Sequence, residues 1–107
     1  MTRNPINLPG ISLTATADAL FTVAQGVVVI EAIILTNTDV AARTVNLYVR
    51  RINDTADRRV LPKDHSLAAG MFVAFETPLT LTQGDSIKAS ASVASVVDCT
   101  ISGYLQG

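Results

Sequence analysis

The chain has 107 residues, enough for one domain with its own core. Net charge is −1, only 16% of residues are charged and the mean hydropathy is +0.39. No overall electrostatic pull towards nucleic acid or a membrane surface follows. So apolar a composition suits a subunit that covers part of its exterior against other subunits.

Residues 1–10 carry Pro5 and Pro9 with Asn4 and Asn7 around them. Proline fixes φ and removes a donor, so helix and central strand are both disfavoured. The segment reads as an extended N-terminal arm, and Ile6 and Leu8 make it a candidate for docking on a neighbouring subunit. The folded domain is expected over 11–107. It begins with Ile11, Leu13 and Ala15 alternating with Ser12, Thr14 and Thr16, a first strand. Leu20 to Ala24 forms the next and ends at a Gln25-Gly26 turn.

Val27 to Thr36 is the most hydrophobic stretch. With strict alternation its even row, Val28, Ile30, Ala32 and Ile34, faces the core. The odd row, Val27, Val29, Ile33 and Leu35, is apolar as well and has Glu31 at its middle. A strand apolar on both sides is covered twice or lines an interface. An interface is expected, with Glu31 pairing across it or at its rim.

After an Asn37-Thr38-Asp39 turn, Thr44 to Ile52 alternates with Val45, Leu47 and Val49 inward. The stretch from Arg50 to Arg59 is the most polar and has turn chemistry at its centre. It predicts a hairpin with Arg50 and Arg51 on one arm and Arg58 and Arg59 on the other. A loop follows over Lys63 to Gly70. Met71 to Glu76 and Leu79 to Thr82 are strands parted by Thr77-Pro78. Gln83-Gly84-Asp85 turns the chain into Ser86 to Val93, and the last strand runs from about Val96 to Leu105. The sum is an all-β chain of about eight short antiparallel strands, a single-domain β-sandwich of jelly-roll-like type.

Reactive groups are sparse. His65 is the single histidine and lies in a polar loop, where Asp64 and Ser66 flank it without forming a triad. Cys99 is the single cysteine, so no intrachain disulfide forms. It shares a row with Val97 and Ile101 and reads as a small buried hydrophobe. One His and one Cys do not make a zinc set. Asn53, Asp54 and Asp57 offer oxygens to calcium, but without EF-hand spacing they read as turn formers. The expectation is no enzyme, no cofactor and no metal.

Six of the eight basic residues fall between Arg43 and Lys63. Interleaved aspartates and a single aromatic there, Tyr48, argue against nucleic acid. Two readings remain for the arginines: local ion pairs on a solvated hairpin, or guanidinium groups that grip a protein partner. The opening residues lack an apolar leader core, and Val27 to Leu35 is too short to span a bilayer. A product made in the cytoplasm, with no membrane association, is expected.

Leu20-Phe21-Thr22-Val23-Ala24-Gln25-Gly26, then Ile33 to Thr38, then Val45 to Val49 resembles small tailed-bacteriophage virion proteins. Leu67-Ala68-Ala69-Gly70, Leu81 to Ile87 and the closing Ile101-Ser102-Gly103-Tyr104-Leu105 are similar to the rest of that pattern. The likeness covers nearly the whole chain after Gly10. It implies a structural β-sandwich of the virion, most simply a decoration (cement) protein that binds and stabilises the major capsid protein lattice and self-associates as a homo-oligomer. The alternative it implies is a tail- or fibre-associated module recognising another virion protein or a host receptor or glycan. The candidate interface residues are Ile6, Leu8, Val27, Val29, Glu31, Ile33, Arg50, Arg51, Arg58 and Arg59.

Overall fold

A computed structural model describes residues 3–106. Ten strands follow one another: β1 (Arg3–Ser12), β2 (Asp18–Thr22), β3 (Val27–Asn37), β4 (Arg43–Arg50), β5 (Arg58–Arg59), β6 (His65–Leu67), β7 (Phe72–Phe75), β8 (Leu79–Thr82), β9 (Ser86–Ala91) and β10 (Val97–Gln106). They form two antiparallel sheets. One runs β1-β10-β3-β7, with β8 also on β3; the other runs β2-β9-β4-β5, with β6 also on β4. The sheets share one core, to which Ile30, Leu35 and Ile101 of the first and Val45, Leu47 and Ile87 of the second contribute.

Proline explains why the edges look as they do. β7 and β8 lie end to end along β3, parted at Pro78; β5 and β6 lie end to end along β4, parted at Pro62. Pro5 and Pro9 sit in β1, which is also an edge strand. A residue without an N–H cannot serve a central ladder, so all four prolines fall on edges, where they also discourage pairing with foreign strands.

The expected N-terminal arm is therefore extended, but from Arg3 onward it is a strand of the chain's own sheet. It pairs with β10 from Arg3 opposite Gln106 to Ser12 opposite Asp98. Met1 and Thr2 lie outside the described residues. The first strand ends at Ser12 rather than continuing to Thr16, and the loop expected over Lys63 to Gly70 contains the short β6.

The alternation of β3 is not continuous. Val28 and Ile30 point inward, then Ile33, Leu35 and Asn37 do, so the inward row changes from even to odd numbers. The switch is at Glu31. Ile30 stands opposite Gly103 and Ala32 opposite Ser102, which leaves Glu31 as an extra residue in a β-bulge. The partner position must be glycine: a Cβ on Gly103 would overlap the Val29 carbonyl oxygen. Ile33, expected on the outer row, is thus 0% exposed and belongs to the core. The true outer row is Val27, Val29, Ala32 and Ile34, all half-buried, with exposed Glu31 among them.

Candidate functional site

Strand directions bring the connections to two opposite poles. At one, the β4–β5 hairpin meets the 83–85 turn and the 23–26 turn. Asp85 holds this pole. The residue is 3% exposed, and its two carboxylate oxygens accept from the backbone N–H of Ile52 (3.0 Å) and Thr82 (2.9 Å), the Thr82 hydroxyl (3.3 Å) and Arg51 Nη1 (3.0 Å). Burial pushes this carboxyl up, but the Thr82 and Ile52 donors and the Arg51 charge outweigh it and hold the group below the usual carboxylate range. The turn needs Gly84, whose φ is +91° and whose absent side chain makes room for Ile52.

The arginines of the hairpin are engaged within the chain. Arg51 also donates to the Thr80 carbonyl at 2.7 Å. Arg58 grips Asp54 with two bonds, 2.7 and 2.9 Å. Asp57 accepts from both Arg50 (3.2 Å) and Lys88 (3.0 Å). Arg59 donates to Asn46 Oδ1 at 2.6 Å and lies over the Tyr48 ring, 4.9 Å from its centroid. Hydrogen bonds from Arg58 lower the Asp54 pKa; Asp57 is raised by burial and lowered further by Lys88 and Arg50. Of the two readings open for these residues, local ion pairing is what the geometry displays. The carboxylates of Asp54 and Asp57 are spent on the chain's own cations.

The opposite pole is organised by a neutral group. Asn37 is 0% exposed. Its Nδ2 donates to the carbonyls of Ala41 (2.9 Å), Leu67 (3.1 Å) and Ala68 (3.3 Å), its Oδ1 accepts from Asp39 N–H, and its own N–H reaches the Met71 carbonyl. One side chain thereby ties the 38–42 loop to the 68–71 loop. Thr38 fastens both to the 92–96 loop, donating N–H and hydroxyl to the Val96 carbonyl at 2.8 Å. Asp39 closes the arrangement by pairing with Arg43 at 2.7 Å.

What these anchored loops present is apolar. Val40 is 94% exposed, Phe72 61% and Met71 55%, and Val93, in the 92–96 loop that Thr38 fastens, is exposed as well. Of the five large hydrophobic side chains most exposed among the described residues, four lie at this pole; the fifth, Ile52, packs over Gly84 at the other. Loops are normally polar, and an ordered apolar tip is a mark of a binding surface.

The remaining expected residues are dispersed. Ile6 is half-buried against the core, and Leu8 pairs in register with Ile101, its side chain lying outside those described. Val27 and Val29 stand half-exposed on the outer face of the first sheet, where Tyr104 is opposite Val29. Cys99 is buried, and that burial pushes its thiol up to about 12, so no thiolate is present at neutral pH. Near the hairpin pole, Ile6, Phe21, Val23, Val28, Leu105 and Gln25 help to line an open cavity of about 270 Å³ between the sheets.

Comparison with protein-family models, with curated proteins and with solved structures finds no match to this chain. The exposed tip was the feature hardest to foresee. Val40 follows a turn signal and Met71-Phe72 opens a strand, so neither reads as surface; the one available hint was a lone valine inside an Asn-Thr-Asp-x-Ala-Ala turn.

Proposed function

We propose that the chain is a structural protein of a bacteriophage virion, a jelly-roll decoration module that binds the major capsid protein lattice. The observation that carries this reading is the contrast between the self-satisfied hairpin and the ordered apolar pole of Val40, Met71, Phe72 and Val93. A hairpin whose arginines are engaged internally leaves packing at the apolar pole as the means of gripping a partner. The strand order supports the jelly roll. With β5/β6 and β7/β8 each counted as one interrupted strand, the sheets read first-eighth-third-sixth and second-seventh-fourth-fifth. That architecture serves viral capsid domains among other roles, so it supports the class without fixing it.

Bridging would follow from repetition, since modest contacts at every lattice position add avidity. The test is cosedimentation with capsids and with tails of a phage whose genome encodes the chain. Saturable capsid binding that Val40→Asp abolishes is expected. Binding to tails alone would make this a tail-associated module, and binding to neither would refute the virion reading.

A further inference from the structure

The apolar pole and the cavity near the hairpin pole are complementary, and they lie towards opposite ends of a molecule 44 Å long. We propose that copies of this chain associate head to tail, with Val40 of one copy entering the cavity bounded by Phe21, Val28 and Leu105 of the next. The inference rests on the reading above that the Val40 pole is the binding surface, and names a second copy as what that pole grips.

Three observations converge on a second copy as the occupant. The first is fit. The cavity holds about 270 Å³, more than the roughly 150 Å³ that accepts a benzene ring in an engineered apolar site. Valine fills such a space in part, and Met71 and Phe72 beside it can cover the rim. The second is preorganisation. Asn37, Asp39 and Thr38 hold the Val40 loop in one shape, so little conformational entropy is lost on docking.

The third is charge. The hairpin pole carries Arg50, Arg51, Arg58, Arg59 and Lys88 against Asp54, Asp57 and Asp85, an excess of two positive charges. The apolar pole carries Asp39 and Asp98 against Arg43, an excess of one negative charge. Opposite poles attract and like poles repel, which selects head-to-tail over tip-to-tip. The same negative excess disfavours insertion of the tip into an anionic bilayer. A head-to-tail contact is heterologous, so it builds rings where the rotation closes and filaments where it does not.

The test uses sedimentation velocity on the whole chain. Wild type should grow with concentration beyond a dimer. Val40→Asp removes the tip, and Ala24→Arg, at an exposed position on the cavity wall, blocks the cavity; Thr22→Arg serves the same purpose from β2. Each variant alone should remain monomeric, with association weakened on the order of a hundredfold. Mixed one to one, Val40→Asp and Ala24→Arg should form a heterodimer that does not extend, because one intact tip meets one intact cavity. The proposal is overturned if wild type stays monomeric at about millimolar concentration, a level that reveals even weak contacts. It is equally overturned if the cavity variants dimerise alone, or if the mixture does not associate. Capsid binding by a strictly monomeric chain would remove this contact and leave the decoration role; self-association without capsid binding would do the reverse.

Discussion

The two poles of this molecule are built alike and used differently. Each is gathered around one buried polar side chain that satisfies backbone groups from several connections, Asp85 at the hairpin and Asn37 at the tip. Around the charged anchor the surface is charged, and its cations and carboxylates find one another. Around the neutral anchor the surface presents apolar side chains, and among the described residues Val40, Met71 and Phe72 stay largely uncovered. A conspicuous run of arginine is therefore not by itself a docking surface. Exposed ion pairs of this kind add little even to stability, whereas apolar side chains held rigidly in water are costly unless something else covers them.

The largest effect that would break this symmetry of construction is expected at Asn37. Asn37→Ala leaves buried carbonyls of two loops without donors and opens a small void, which should cost about 4 kcal/mol, read as a lower urea midpoint with an unchanged slope. Asp85→Ala should cost somewhat less, about 3 kcal/mol, because Arg51 and the Thr82 hydroxyl regain water. If both variants were neutral, the anchors would not organise their poles.

Acid sharpens the comparison. The Asp85 carboxyl is held below its ordinary value in the folded state. Its stabilisation is therefore complete above the unfolded value, roughly pH 4, and is lost as pH falls through the folded value. Asp18, Asp39, Asp54 and Asp57 are held low as well, so acid destabilises the whole molecule. Asp85→Asn should flatten the acid limb of a stability-against-pH curve. Asn37→Ala should lower the entire curve and leave its shape unchanged. A wild-type acid limb in Asp85→Asn would remove Asp85 from the account of that pole.

Much of the fold is legible in the chain. Period-two rows place Val45, Leu47 and Val49, and Val97, Cys99 and Ile101, on their buried sides, and prolines locate the edges and breaks. The order of strands within the sheets is not in the turns, since β1 pairs with β10 and β2 with β9. Two things were hidden for physical reasons. The bulge at Glu31 inverts the alternation midway through β3, and a stretch apolar on both sides carries no pattern that could reveal the inversion; Gly103, the position that permits it, is 72 residues away in the chain (103 − 31). The partners of the arginines were hidden too, because Asp85 and Asn46 reach Arg51 and Arg59 only through the pairing of β4 with its neighbours.

The claim on which all of this turns is that binding resides at the Val40 pole. Sedimentation velocity on wild type, Val40→Asp and Arg58→Glu side by side tests it most directly, at low salt and at about 0.5 M, where exposed charges are screened. Arg58→Glu should associate less than tenfold more weakly than wild type, a difference that the higher salt erases, while Val40→Asp should stay monomeric under both conditions. Loss of association in Arg58→Glu with Val40→Asp unaffected would contradict the account and return the working surface to the arginine hairpin.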